Sequence, residues 1–181
     1  MPRLTPITSR NQVAAKDRPI ADAIVKSRGG LAGPFSMFLH CPELAGRAAH
    51  LGAYVRFEGK LDMRVRVLAA MVAAREYEAI YVWGAQTGGA RRMGIPEKTI
   101  TAIREDHSRG IPKEDLQIVK FTRDLLRKHR ISTKDMTAMR KRFSDHELIE
   151  LTGSIGYYIF LAMTVNVCEL DAREGMEILK T

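Results

Sequence analysis

From Leu151 to Cys168 the chain carries no Asp, Glu, Lys or Arg, and Glu150 and Glu169 bound the run on either side. No other segment approaches it in uninterrupted apolar length. Such a run either crosses a membrane or fills the centre of a folded bundle. A spanning helix needs about 20 predominantly apolar residues; this run sits at the lower limit, and Thr152, Ser154, Thr164 and Asn166 interrupt it. Ser144 followed by Glu147 makes a capping box, which starts a helix just ahead of the run. A helix over Leu148–Leu170, apolar on all sides, is therefore expected at the centre of a bundle or against a second subunit, with no membrane partner.

The rest of the chain reads as shorter helices. Residues 1–16, with Pro2 and Pro6 and little periodicity, are expected to form an extended arm, and residues 17–181 one helical domain. Asp17 is placed to cap a helix with Pro19 in its first turn, and Gly29-Gly30 to stop it. Phe35, Met37, Phe38 and Leu39 form an apolar plug. Leu44, Ala48, Leu51 and Val55 mark an amphipathic helix from Pro42 to about Phe57, ended by Gly59. Asp62 caps the next segment, which runs to Met93 with a break near Arg75-Glu76, and Gly94 ends it. Pro96 and Pro112 restart helices, and Ser132 with Asp135 caps another. No alternating strand pattern of useful length occurs. The fold class is all-α.

Composition constrains partners and compartment. Apolar residues make up 45% of the chain and charged ones 28%, an ordinary globular balance. The net charge of +8 attracts anions. Its densest run, Arg123 to Arg142, is broken by acidic and apolar residues and lacks interleaved aromatics, so a solvated helical face is expected rather than a nucleic-acid surface. Cys41 and Cys168 have no metal-ligand spacing, and two free thiols suit a reducing cytoplasm. No basic stretch with a short apolar run opens the chain, so no secretory leader is expected.

Several ordered segments resemble the carboxymuconolactone decarboxylase family and its alkylhydroperoxidase D relatives. They are Gly29-Gly30-Leu31-Ala32-Gly33-Pro34-Phe35, Leu39-His40-Cys41-Pro42-Glu43-Leu44, Leu51-Gly52-Ala53-Tyr54-Val55-Arg56-Phe57, the run Arg75 to Gly94, and Ile155-Gly156-Tyr157-Tyr158 with Asn166. The resemblance implies a multi-helix bundle with a long buried C-terminal helix, a homo-oligomer of trimers or hexamers, and cofactor-independent chemistry on a small ring compound. The peroxidase branch needs a proton-relay Glu, two Cys separated by two residues, and a His. Those positions hold Val67, Ala79, Val82 and Gln86 here. Without thiolates there is no attack on a peroxide, and a Gln cannot carry a proton at neutral pH.

Other residues must then supply any chemistry. Ala79, Val82, Trp83, Gln86 and Ala90 share a face at helical spacing. That face is read either as the wall of a small apolar pocket, with Gln86 and Trp83 holding a ligand, or as plain core. Gly84, Gly88 and Gly89 either allow close helix–helix packing or leave room beside Gln86. His50 and Tyr54, four residues apart, are either a surface pair or proton donors facing the pocket, with Tyr81 a further donor on the central helix. Arg56, Arg64 and Arg66 suit a carboxylate, which a guanidinium fork matches. The leading expectation is a cofactor-free enzyme of decarboxylase, lyase or isomerase type. It would act on a small carboxylated or oxygenated ring compound, with His50, Tyr54 and Tyr81 catalytic, Gln86, Trp83 and Arg56 binding substrate, and no metal. The alternatives are a catalytically degenerate ligand-binding or scaffolding oligomer and, against the missing thiols, a peroxidase.

Overall fold

The computed structural model describes residues 2–179. Among these the regular elements are all helical: α1 (Arg18–Arg28), α2 (Pro34–Phe38), α3 (Pro42–Ala53), α4 (Met63–Glu76), α5 (Ile80–Arg92), α6 (Glu97–Arg104), α7 (Lys113–Lys128), α8 (Thr133–Arg140) and α9 (Asp145–Val167). Helix α4 lies at the centre, packed against α5, α7 and α9. From Leu68 to Ala74 every residue is fully buried. Four of those seven are alanines, which let three neighbouring helices approach one axis. Helix α9 forms the second wall. It is long and apolar enough to cross a membrane, yet more than half of its most apolar stretch is buried in the bundle, as befits the core helix of a water-soluble protein.

Most caps follow the sequence. Ser144 accepts from the Glu147 N–H while Glu147 accepts from the Ser144 N–H, and Asp62 accepts from the Arg64 and Val65 N–H groups. Ser132 accepts from the Asp135 N–H, and Gly29 closes α1 in the left-handed region at φ 78°. Asp17 precedes α1 without a side-chain cap bond. The N-terminal arm holds two short 3-10 turns, Arg10–Gln12 and Ala15–Asp17. Hydrogen bonds from the Arg3 N–H to the Cys168 carbonyl, the Ile7 N–H to the Ser36 carbonyl and His40 Nε2 to the Thr5 carbonyl tie it down.

Two departures from simple periodicity have local causes. The long segment after Asp62 breaks at Tyr77–Ala79, slightly later than expected, with Glu78 at φ 49°. There the Tyr77 carbonyl accepts from Asn166 Nδ2 of α9 at 2.5 Å. Helix α3 does not run straight to Phe57; from Tyr54 to Glu58 it widens into a π turn. That turn is held from both sides. Tyr54 Oη donates to Glu150 at 2.6 Å, and the Val55 carbonyl accepts from Arg66 at 2.5 Å. Such turns are uncommon and gather at functional sites.

Two carboxylates anchor this frame. Asp115 is fully buried in α7 and accepts both arms of the Arg64 guanidinium, joining α7 to the start of α4. Glu150 of α9 takes Tyr54 Oη and the Lys60 and Leu61 N–H groups, with His146 Nε2 at 3.1 Å. Burial alone would raise the Glu150 carboxyl, but these donors outweigh it and hold it down to about 2. Asp115→Asn should lower the unfolding free energy by about 2–3 kcal/mol in chemical denaturation, the low end for a broken buried pair because Arg64 keeps access to water. Glu150 is depressed from 4.5, so its contribution is complete above that pH and disappears as pH falls towards 2. The wild-type Tm should therefore drop more steeply across that window than the Tm of Glu150→Gln; equal slopes would show that Glu150 is no anchor.

Candidate functional site

A cleft of about 350 Å³ opens between α5, α9 and the loop leading into α2. Val82, Ala85, Leu161, Pro34 and Phe35 supply its apolar wall, and Tyr81, Tyr157 and Tyr158 its phenols. Arg28, Arg56 and Arg173 stand at its sides, and Gln86 marks its inner boundary. No Asp, Glu or His lines it. Beyond Gln86 lies a second cleft of about 180 Å³, sharing Arg56, Ala85, Gln86 and Tyr158 with the first and adding Arg66, Val67 and Arg92.

Charge is distributed unevenly over the surface. Nine arginines elsewhere hold carboxylates within 4.0 Å. Within the basic run from Arg123 to Arg142, Arg123, Arg127, Lys128 and Arg140 are paired in this way, with Asp106, Glu76, Asp124 and Asp145. Among the described residues, the five arginines of the two clefts have no acidic partner. Arg28 donates to the Ala49 carbonyl and to Ser27 Oγ and lies 4.3 Å over the Phe35 ring, and its Nε is buried without a partner. A cluster of unpaired guanidinium groups raises the local potential and favours an anion.

The phenols remain protonated well past neutrality. Tyr81, Tyr157 and Tyr158 are all raised, chiefly by burial. Arg173 pulls Tyr81 back, Arg28 and Arg56 pull Tyr157 back, and Arg56, Arg66 and Gln86 pull Tyr158 back. Each is a neutral O–H donor beside a cation. Tyr81 is seated by a missing side chain: Gly33, at φ 61°, has no Cβ, and one placed there would lie 2.5 Å from the Tyr81 hydroxyl.

The C-terminal segment completes the rim. Glu177 accepts from Arg91 at 2.5 Å and from Arg104 at 3.0 Å, and Leu179 is buried. Gly84 lets the segment cross α5, because a Cβ there would meet Met176 Cβ at 2.8 Å and the Glu177 carbonyl at 2.9 Å. Gly84 thus serves the C-terminal segment rather than helix–helix packing, while Gly88 and Gly89 have only ordinary contacts. This crossing brings Arg173 within 5.6 Å of the Tyr81 ring centre and places Met176 against the cleft.

Of the residues singled out from the sequence, Tyr81, Gln86 and Arg56 meet at this cleft, and Trp83, His50, Tyr54 and Arg64 do not. Trp83 is fully buried with its Nε1 unpartnered and lines neither cleft. At 100° per residue, Ala79, Trp83, Thr87 and Ala90 form the core stripe of α5, whereas Val82, Ala85, Gln86 and Gly89 form the cleft stripe. Reading them as one face merged two. His50 is exposed on the last turn of α3 and lines no described cavity. Tyr54 is committed to Glu150 and borders a separate apolar groove with Leu51 and Ile149. The expectation that His50 and Tyr54 face Gln86 is therefore corrected: the π turn sends Tyr54 to α9 and presents Arg56 to the cleft instead. Arg64 is taken by Asp115. The sequence reading missed Arg28, Arg173 and the role of Tyr157 and Tyr158; the adjacent tyrosines in an otherwise aliphatic helix were the available signal for the latter pair. Neither free thiol, Cys41 or Cys168, lines either cleft. Among the described residues no three His, Cys, Asp or Glu side chains gather as a metal site.

No protein-family model and no curated protein matches the sequence. Solved structures do match the fold. A peroxidase-related protein from Ralstonia eutropha JMP134, described as an alkylhydroperoxidase D core, superposes with TM-score 0.79 at 13% identity over 96% of this chain and 93% of its own. A debrominase crystallised with 2,3,4-tribromopyrrole gives 0.73 at 16% identity over 96% and 95%. A peroxidase-related protein from Silicibacter sp. TM1040 gives 0.72 at 10% identity over 97% and 91%. At these identities the likeness speaks for architecture, and over nearly the whole chain that architecture is the alkylhydroperoxidase D fold.

Proposed function

We propose that the protein is a cofactor-independent enzyme that decarboxylates a small anionic ring compound held in the Arg/Tyr cleft. The observation that carries this reading is a cavity lined by unpaired guanidinium groups and protonated phenols, with no carboxylate or imidazole among them. Such a lining can stabilise negative charge and deliver a proton, but it offers no general base. Decarboxylation suits that inventory. The bond from ring carbon to carboxylate breaks, CO₂ leaves, and the electron pair moves through the ring system onto an oxygen facing a guanidinium. A tyrosine O–H then gives its proton to the carbon, forming the new C–H bond, and solvent reprotonates the tyrosinate. The enolate so formed is a stronger base at carbon than a phenolate, so the transfer is downhill. Lyase or isomerase steps that begin by removing a proton from carbon fit less well.

Tyr158 and Tyr81 are the assigned donors, Arg28, Arg56 and Arg173 the anion holders, and Gln86 the orienting amide. The halogenated pyrrole bound by the related debrominase is likewise a small aromatic, which accords with this ligand class. A second reading, a non-catalytic ligand-binding oligomer, draws on Val67, Val82 and Gln86, which border the clefts where the resemblance would place a carboxyl, a thiol and an imidazole. The free thiols Cys41 and Cys168 accord with a cytoplasmic setting.

The trimer or hexamer implied by the resemblance belongs to the same proposal. Ile149, Met163 and Val167 are exposed at 73%, 57% and 64%. They share one stripe of α9 with Gly153 and Gly156, where an added Cβ would meet nothing within 4 Å. An open apolar stripe on a long helix suits a second copy of the chain.

Two measurements test these statements. Against a panel of aromatic and lactone carboxylates, Tyr158→Phe should cut CO₂ release by about a hundredfold with little change in binding, while Arg28→Met should weaken binding about tenfold. Binding with no CO₂ release anywhere in the panel would favour the ligand-binding reading. Light scattering behind size exclusion should give the mass of several chains, shifted downward by Met163→Glu; a monomer at every concentration would remove the assembly.

A further inference from the structure

The second cleft contains a charge that the rest of the protein does not explain. Arg66, on α4, is only 9% exposed. Its Nη1 donates to the Val55 carbonyl in the π turn, its Nε has no partner, and no acidic side chain pairs with it among the described residues. A buried guanidinium without a counter-ion is destabilising unless something compensates it. Deep arginines elsewhere in the fold face acids: Arg123, similarly buried, lies 3.3 Å from Asp106. The cavity that Arg66 lines adds two more unpaired cations, Arg56 and Arg92, and the Gln86 amide, and no acid. Its volume, about 180 Å³, suits a group of a few heavy atoms rather than a ring system of its own.

We propose that this second cleft is a preformed site for one small oxyanion, a carboxylate or phosphate group, with Arg66 as its buried counter-charge and Arg92 and Arg56 closing over it. Two features make the site built rather than incidental. The π turn projects Arg56 to the boundary between the two clefts and simultaneously fixes Arg66 through the Val55 carbonyl. Arg66 lines the second cleft together with Arg56, Arg92, Gln86 and Tyr158, and apolar or small groups such as Val67, Met63 and Gly89 border the rest, with no acid among them. A planar guanidinium presenting two parallel N–H groups matches the paired oxygens of such an anion.

The oxyanion has two sources. It arrives as a free anion, or as a second acidic group of the molecule whose ring lies in the first cleft, since the clefts share Arg56, Ala85, Gln86 and Tyr158. Only the latter case rests on the decarboxylase reading.

Calorimetric titration of the full chain with inorganic phosphate at low ionic strength tests the site. One saturable event per chain is expected, weakened about tenfold or more by Arg66→Met and by Arg92→Gln. Arg92 is exposed, so its variant folds even where loss of the Arg66 tether to the π turn does not permit folding of the other. Arg47→Gln, at an exposed arginine lining neither cleft, should leave phosphate binding within about twofold. Absence of saturable binding, or equal weakening by Arg47→Gln and Arg92→Gln, overturns the proposal. Competition of phosphate with benzene-1,3-dicarboxylate but not with benzoate assigns the oxyanion to the ring ligand; competition with neither assigns a free anion. Benzoate reports on the first cleft and phosphate on the second, so failure of either reading is seen separately.

Discussion

Helix α4 must be covered on every side, and this requirement arranges most of the molecule. Its centre is alanine, valine, leucine and methionine with no exposed face, so α5, α7 and α9 pack around one axis. Alanines allow close approach, and dense packing makes the helix positions hard to vary. Once α5 and α9 are pressed against α4, their outward edges diverge. The gap between those edges, floored by Val82 and Leu161 and roofed by the α2 loop and the C-terminal segment, is the principal cleft.

Electrostatics adds a second level of organisation to that frame. Acidic side chains are used as local partners, with Asp115 securing α4 to α7, Glu150 securing the π turn to α9, and Glu177 securing the C-terminal segment to α5 and α6. No acidic side chain lines either cleft. Five guanidinium groups without an acidic partner among the described residues thereby gather at the two clefts beside buried phenols. Function and stability use the same residue type in opposite ways: paired arginines hold elements together, and unpaired ones leave a field for a ligand.

The helices were legible because caps and periodicity are local. Ser144-to-Glu147, Asp62 and Gly29 each act within a few residues, and α9 announced itself by its missing charges. The site was legible only in part. Tyr81 and Gln86 followed from their position on the central helix, and Arg56 from the match of a guanidinium fork to a carboxylate. Trp83 misled because two stripes of α5 lie one residue apart, and only tertiary packing distinguishes core from cleft. Tyr54 misled because the π turn, which begins at this residue, rotates the chain by an amount that an α-helical wheel does not contain, and His50 because its regular turn of α3 faces solvent. Arg28 and Arg173 enter from α1 and from the C-terminal segment. Their convergence depends on Gly84 admitting that segment across α5, a contact that leaves no local pattern.

Clefts lined by unpaired guanidinium groups should select negative charge rather than apolar shape. The most direct test compares the thermal stability of the wild-type chain in benzoate and in benzamide, which share size and ring but differ in charge. Benzoate should raise Tm in a saturable, salt-sensitive manner while benzamide at equal concentration leaves it unchanged. Equal shifts with the two compounds, or a shift with benzamide alone, would contradict the claim.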